Sequence, residues 1–158
     1  MTLQEKIQQD MRITLKARDE FRLGVLRMLN AALGNKEIEK HAVCVHAGMS
    51  PEPLTNDECC EIFQKEYKQR KESALAYEQG KRKDLQEIEL KEAEIVAEYL
   101  PQQFSEDEIK ERVRVAISSS GANGAAGVGT VMGILSKELK GRADMGTVSR
   151  IVNQLLCS

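Results

Sequence analysis

Apolar residues recur every three or four positions along most of the chain, which is the spacing of amphipathic helices. In the first hundred residues this pattern predicts four helices. Thr2 and Thr55 each precede a glutamate by three residues, the capping-box signature of a helix start, and Asp19 and Asp84 are placed to cap the other two. Since no period-two alternation lasts for the length of a strand, the sequence predicts an all-α protein.

The stretch "HAVCVHAGMSPEP" interrupts the helical pattern between the second and third predicted helices. Pro51 and Pro53 cannot continue a helix. We therefore expect the second helix to end at about Lys40 and residues 41–54 to form a loop.

A second break, "YLPQQFSEDEI", contains Pro101 and a third capping box at Ser105. It predicts a domain boundary near residues 101–104, with a helical-hairpin domain at 1–100 and a small three-helix domain at 101–158. The three helices are expected at about 106–119, from near Gly127 and from near Met145.

Charge is distributed unevenly along the 158 residues, whose net charge is −2. From Arg112 to the end there are six basic residues and two acidic ones, so this part carries +4 and the rest −6. An anionic partner is therefore expected at the C-terminal third. The four cysteines show no paired spacing, the first residues are polar and helical, and no apolar run reaches the roughly 18 residues of a membrane span. These features favour a cytoplasmic protein without membrane contact.

No residue pattern predicts catalysis, a cofactor or a metal. Glutamates of the third and fourth helices are spaced three or four positions from a Lys or Arg, as in Glu61 with Lys65 and Glu87 with Lys91, which is typical of an exposed charged face. His41, Cys44 and His46 are metal-ligand types, but no second pair of ligands accompanies them. We interpret them as incidental residues of a variable insertion, and expect neither a metal site nor a catalytic set.

The glycine-rich "GVGTVMG" lacks both the preceding strand and the Lys-Ser/Thr of a phosphate-binding loop. Its Gly127, Gly129 and Thr130 are a weak candidate for anion binding, because a helix N-terminus offers free N–H groups. The alternative is that these glycines permit a close contact between helices.

The stronger candidate is the basic corner in "GILSKELKGRADMGTVSR". Lys137 and Lys140 complement the carbonyl end of a helix, which explains them without a ligand. Arg142 and Arg150 are not explained in that way, although Asp144 is placed to cap the last helix and to offset part of the charge. Lys137, Lys140, Arg142 and Arg150 are the predicted RNA-binding residues, and an ordinary solvated turn is the alternative.

Three stretches, "RLGVLRMLNAAL", "FQKEYKQRKESALAYEQGKRKDLQEIELKEAEIVAEYLPQQ" and "VGTVMGILSKELKGRADMGTVSRIVNQLL", resemble the YqeY-like (GatB/YqeY) family. The resemblance covers nearly the whole chain, and residues 41–54 depart from it. It implies that the C-terminal domain is similar to the tail domain of GatB, a component of the aspartyl/glutamyl-tRNA amidotransferase in which the tail holds tRNA. The family carries the label of a carbon–nitrogen ligase with glutamine as amido donor, but the resemblance implies no active site in this chain.

These observations favour a non-catalytic accessory protein whose partner is tRNA or a tRNA-bound enzyme. One alternative is a protein–protein adaptor without RNA binding. A weaker alternative is a component of a glutamine-dependent amidotransferase complex. The sequence does not set the oligomeric state.

Overall fold

The all-α prediction is confirmed by the computed structural model, which describes residues 1–157 and contains helices and no strand within them. The helices are α1 (Leu3–Ala17), α2 (Glu20–His46), α3 (Asn56–Gln79), α4 (Lys83–Ala97), α5 (Glu106–Ser120), α6 (Val128–Glu138) and α7 (Met145–Leu156), with a 3₁₀ turn at Ala125–Gly127. The chain divides into two compact units, Met1–Leu100 and a second that begins at Pro101.

The first unit consists of two antiparallel helical hairpins. The α1–α2 hairpin is joined at residues 18–19 and the α3–α4 hairpin at residues 80–82, and such short links force neighbouring helices to run in opposite directions. The two hairpins share one apolar core, whose fully buried side chains include Leu26, Leu29, Leu33, Phe63 and Val96.

Helix starts follow the predicted capping chemistry at three of the four positions in this unit. Thr2 and Thr55 form complete capping boxes, and the side chain of Asp19 accepts a hydrogen bond from the N–H of Arg22. The fourth prediction, Asp84 as the cap of α4, is wrong. The helix begins at Lys83, and the Asp84 carboxylate instead accepts two hydrogen bonds from the Arg82 guanidinium, at 3.1 and 3.0 Å.

The predicted 41–54 loop is also wrong in its first half, because α2 continues to His46. Proline disfavours helix only at the residue before it and within the preceding turn, and Pro51 is five residues beyond His46. The helix ends where Gly48 adopts a φ of +70° and the N–H of Met49 donates to the carbonyl of Cys44. His41, Cys44 and His46 therefore belong to a helix, and only residues 47–55 link α2 to α3.

A buried arginine lies between the hairpins of the first unit. Arg70 on α3 is 7% exposed and pairs with Glu66 at 2.8 Å and with Glu92 at 3.2 Å. It also donates to the sulfur of Met28 on α2. Two carboxylates and a helix carbonyl satisfy a charge that would otherwise be costly to bury.

The second unit packs α5, α6 and α7 around its own core. Val113, Val131, Leu135, Val148 and Ile151 are fully buried there. The helix starts predicted near Gly127 and Met145 are confirmed, and a third capping box at Ser105 opens α5.

A prediction about pH follows from the Lys40–Glu58 ion pair at 2.8 Å. The hydrogen bonds from Lys40 and from the N–H of Thr55 lower the pKa of Glu58 from 4.5 to about 2. A depressed pKa in the folded state means that the carboxylate stabilises the fold fully above about pH 4.5 and loses that contribution as the pH falls through about 2. In urea denaturation, the free energy of unfolding of Glu58→Gln should fall less than that of wild type as the pH is lowered from about 4.5 to about 2. The control, Glu78→Gln at an exposed position, should fall as wild type does. Equal falls in the two variants would contradict the assignment.

Candidate nucleic-acid interface

The basic corner is the connection between α6 and α7 in the second unit. Leu139, fully buried, follows the last residue of α6, and the chain turns at Gly141, whose φ of +74° strongly favours glycine. Asp144 then caps α7, since its carboxylate accepts from both the N–H and the hydroxyl of Thr147, each at 3.1 Å. The corner is therefore fixed at both of its ends.

Residues 101–104 brace this corner from the side. The N–H of Phe104 donates to the carbonyl of Arg142 at 2.9 Å, and the Gln103 side chain donates to the carbonyl of Gly141 at 2.8 Å. In return, Nε of Arg142 donates to the carbonyl of Gln102 at 3.2 Å. Backbone groups that a sharp turn leaves unpaired are satisfied by a segment about 40 residues earlier in the chain.

The Phe104 ring adds an aromatic contact to this brace. The Arg142 guanidinium lies 4.2 Å from the ring centroid and the Arg112 guanidinium lies 5.1 Å from it. Both distances fall within the range of cation–π attraction. Arg112 also pairs with Glu138 at the end of α6, so that α5 and α6 are joined beside the corner.

The four predicted RNA-binding residues have different surroundings. Lys137 and Lys140 are exposed at the carbonyl end of α6. Arg142 is half-buried and holds the brace. Arg150 on α7 pairs with Glu106 on α5 at 3.0 Å, and this hydrogen bond lowers the pKa of Glu106.

The positive charge of the C-terminal third is thus partly compensated within the unit. Glu138 forms an ion pair with Arg112 and Glu106 forms one with Arg150, although both pairs remain open to solvent. Exposed pairs of this kind contribute only about 0–1 kcal/mol, so another anion can replace the carboxylate. Lys137 and Lys140 are exposed beside the corner, as is Arg150, whereas Arg142 positions it.

Gly127 has a packing role that does not involve an anion. It is buried, and an added Cβ would lie 2.8 Å from the Cβ of Ala122. Gly129 and Thr130 are exposed in the first turn of α6, which has no side-chain cap. Anion binding by Gly127, Gly129 and Thr130 stays a prediction, since close packing alone explains the buried glycine.

The other chemistry-bearing residues form no recognisable site. Within residues 1–157 no group of three His, Cys, Asp or Glu side chains could hold a metal ion. Burial raises the pKa of the Cys59 and Cys60 thiols, which disfavours the reactive thiolate. Over the same residues, no helix is both long and apolar enough to cross a membrane.

Sequence reasoning missed Phe104, Arg112 and Glu106, the residues that brace the corner and pair with its cations. The one available signal was Phe104 itself, an aromatic residue in a linker of a chain with only three phenylalanines. Its partners could not be inferred, because the contacts join segments far apart in the sequence.

The chain is thus a small all-helical protein, with a helical-hairpin unit followed by a braced three-helix unit. The family model described as "Yqey-like protein" matches residues 4–156. The chain belongs to the YqeY-like family, and the resemblance drawn from its motifs is confirmed.

One relative is the altered inheritance of mitochondria protein 41 of Clavispora lusitaniae (strain ATCC 42720), a protein named as mitochondrial. It is 30% identical over 132 residues, which span 82% of this chain and 69% of that protein. The cytoplasmic location of the present chain stays a prediction.

The brace predicts a specific effect of Arg142→Ala. The variant loses the hydrogen bond to Gln102 and the contact with the Phe104 ring, together worth about 1–2 kcal/mol. Hydrogen exchange at the Phe104 amide should therefore accelerate by about tenfold. The matched control, Lys137→Ala, removes an exposed cation of the same corner and should leave that exchange rate unchanged. Equal rates in the two variants would show that Arg142 does not hold the segment.

The glycines of the second unit give another prediction. Gly127→Ala should destabilise the unit by about 1–3 kcal/mol, because the new methyl group overlaps Ala122. Gly133→Ala is the control: it lies in α6 with no atom near its Cβ position, and should stabilise the helix by about 0.5–1 kcal/mol. Urea denaturation followed by circular dichroism measures both. A stabilising Gly127→Ala would contradict the packing role.

Proposed function

We propose that this protein is a non-catalytic tRNA-binding accessory factor, and that the corner between α6 and α7 contacts the RNA. The partner is tRNA itself or an enzyme that carries it. The proposal rests on one observation: Lys137, in the last turn of α6, and Lys140, just after it, are exposed beside a turn that the 101–104 segment holds in place. Because the backbone of this turn is fixed, less ordering is needed when the lysines bind a phosphate.

The resemblance to the tail domain of GatB supports the same proposal. In the amidotransferase that tail holds the tRNA body while other domains carry out the chemistry. A small three-helix unit with basic side chains at one corner suits such a task, because helical RNA is recognised mainly by shape, phosphate and 2′-hydroxyl groups. The proposal assigns the chain no catalytic step.

The four basic residues have different proposed roles. Lys137 and Lys140 are the primary phosphate contacts. Arg150 becomes a contact when its exposed pair with Glu106 opens, whereas Arg142 acts by holding the brace. With about three contacts the affinity should be modest, and log affinity should fall with log salt at a slope of about −2 to −3.

The test is the double reversal Lys137→Glu with Lys140→Glu, which leaves the brace intact. Each change removes one attraction to a phosphate and adds one repulsion. Binding to an unmodified tRNA transcript at low salt should weaken by at least about tenfold, and the salt slope should become about 1–2 units shallower. Fluorescence anisotropy at two salt concentrations measures both quantities.

The matched control is Lys71→Glu with Lys91→Glu, an equal change of net charge at exposed positions of α3 and α4. It should weaken binding by less than about threefold, since screening limits the reach of a distant charge. Equal losses of affinity in the two double variants would show that binding depends on net charge and not on the corner. Absence of any binding by the wild type at low salt would refute the RNA proposal.

A further inference from the structure

The last turns of α2 and the residues after it carry an apolar surface that the first unit leaves uncovered. Ile38 and Val45 are 70% and 56% exposed and, being seven residues apart, lie on one face of α2. Exposed aliphatic side chains grouped on one face are typical of a surface that binds a partner. This region also lies where the chain departs from the family resemblance.

Part of this surface is a groove between α2 and residues 51–53. Ile38, Ala42 and Val45 line it from the helix, and Pro51 and Pro53 line it from the linker. Gly34 also lines the groove and has nothing near its Cβ position, so a partner can approach the α2 backbone closely there. The volume of about 940 Å³ is enough for several side chains.

The groove is held open without a ligand. The Lys40 ammonium donates to the carbonyl of Pro53 at 2.9 Å and to the carboxylate of Glu58 at 2.8 Å, which ties the linker to α2. Leu54 anchors the linker from the other side, since it is only 6% exposed. A preformed groove costs a partner little ordering free energy.

The charges around the groove define the partner. Glu37 and Glu52 line it together with His41 and His46, and none of its lining residues is a Lys or Arg. Lys40, which ties the linker to α2, also interacts electrostatically with Glu52 and offsets part of its charge. Glu37 accepts a hydrogen bond at 3.0 Å from the side-chain amide of Gln4, and because that amide is neutral the contact leaves the charge of Glu37 in place. An apolar groove with acidic walls repels a phosphate backbone and attracts a cationic amphipathic segment.

We propose that this groove binds an amphipathic helix of another protein. Its apolar side chains occupy the groove, in the helix-in-groove mode, and its Lys or Arg side chains face Glu37 and Glu52. A second copy of this chain fits less well, because a two-fold contact would bring the same acidic walls together. The proposal concerns the first unit and is independent of RNA binding by the second.

The probe is a fluorescein-labelled synthetic helical peptide with leucines at positions i, i+3, i+4 and i+7 and lysines beside them. Its twin carries glutamate in place of each lysine. The wild-type protein should bind the lysine peptide, measured by anisotropy, at least about tenfold more tightly than the glutamate peptide. No binding of the lysine peptide, or equal binding of both, would overturn the proposal.

Two single variants locate the binding. Val45→Asn, at a position that is 56% exposed, removes an apolar contact without changing the charge and should weaken the lysine peptide by at least about tenfold. The control Leu75→Asn makes the same kind of change at an apolar side chain on α3 that is 54% exposed and should alter binding by less than about twofold. Circular dichroism verifies that both variants fold. Equal losses would show that the peptide does not bind in the groove.

Charge reversal tests the acidic wall without touching the apolar surface. Glu52→Lys should weaken the lysine peptide and strengthen its glutamate twin, whereas Glu78→Lys, an equal change elsewhere on the unit, should do neither. A failure of Glu52→Lys to shift the preference would refute the charge argument. Sedimentation of the wild type completes the test: a dimer that Val45→Asn disperses would assign the groove to a second copy and overturn the proposal.

Discussion

A helix leaves four N–H groups unpaired at its start and four carbonyls at its end, and satisfying these groups is the constraint on which this structure depends. Neither unit contains a disulfide among its described cysteines, so side chains and neighbouring segments satisfy them. Capping boxes close the starts of α1, α3 and α5. In the turn after α6, the carbonyls of Gly141 and Arg142 accept hydrogen bonds from Gln103 and Phe104. Satisfying backbone groups therefore also fixes the corner beside Lys137 and Lys140.

The sequence predicted those parts of the fold that are decided locally. A hydroxyl followed three residues later by glutamate needs only its own turn of chain, so the caps at Thr2, Thr55 and Ser105 were predicted correctly. The end of α2 was predicted wrongly, because Pro51 restricts only the residues just before it. The spacing of apolar residues does not show that the helix ends next to Gly48. Contacts between distant segments were also invisible: nothing in the spacing connects Phe104 with Arg142.

The same distinction between local and long-range features applies to the candidate site. That Lys137 and Lys140 are exposed follows from their place at a helix end, and the structure agrees. Sequence alone grouped Arg142 with them as a candidate RNA contact, whereas its hydrogen bond to Gln102 and its contact with Phe104 make it a positioning residue. Two surfaces of opposite character result, a basic corner in the second unit and an acidic apolar groove in the first. Under the two proposals above, the chain connects an RNA with a protein partner.

The central claim is that RNA contacts the corner between α6 and α7, and nuclear magnetic resonance tests it most directly. Amide signals of the ¹⁵N-labelled protein are followed as unmodified tRNA is added. The account predicts shifts or broadening concentrated at residues 137–142 and at the neighbouring 102–106 segment, with α2 and α3 unaffected. Changes concentrated in the first unit, or no change at low salt, would contradict it.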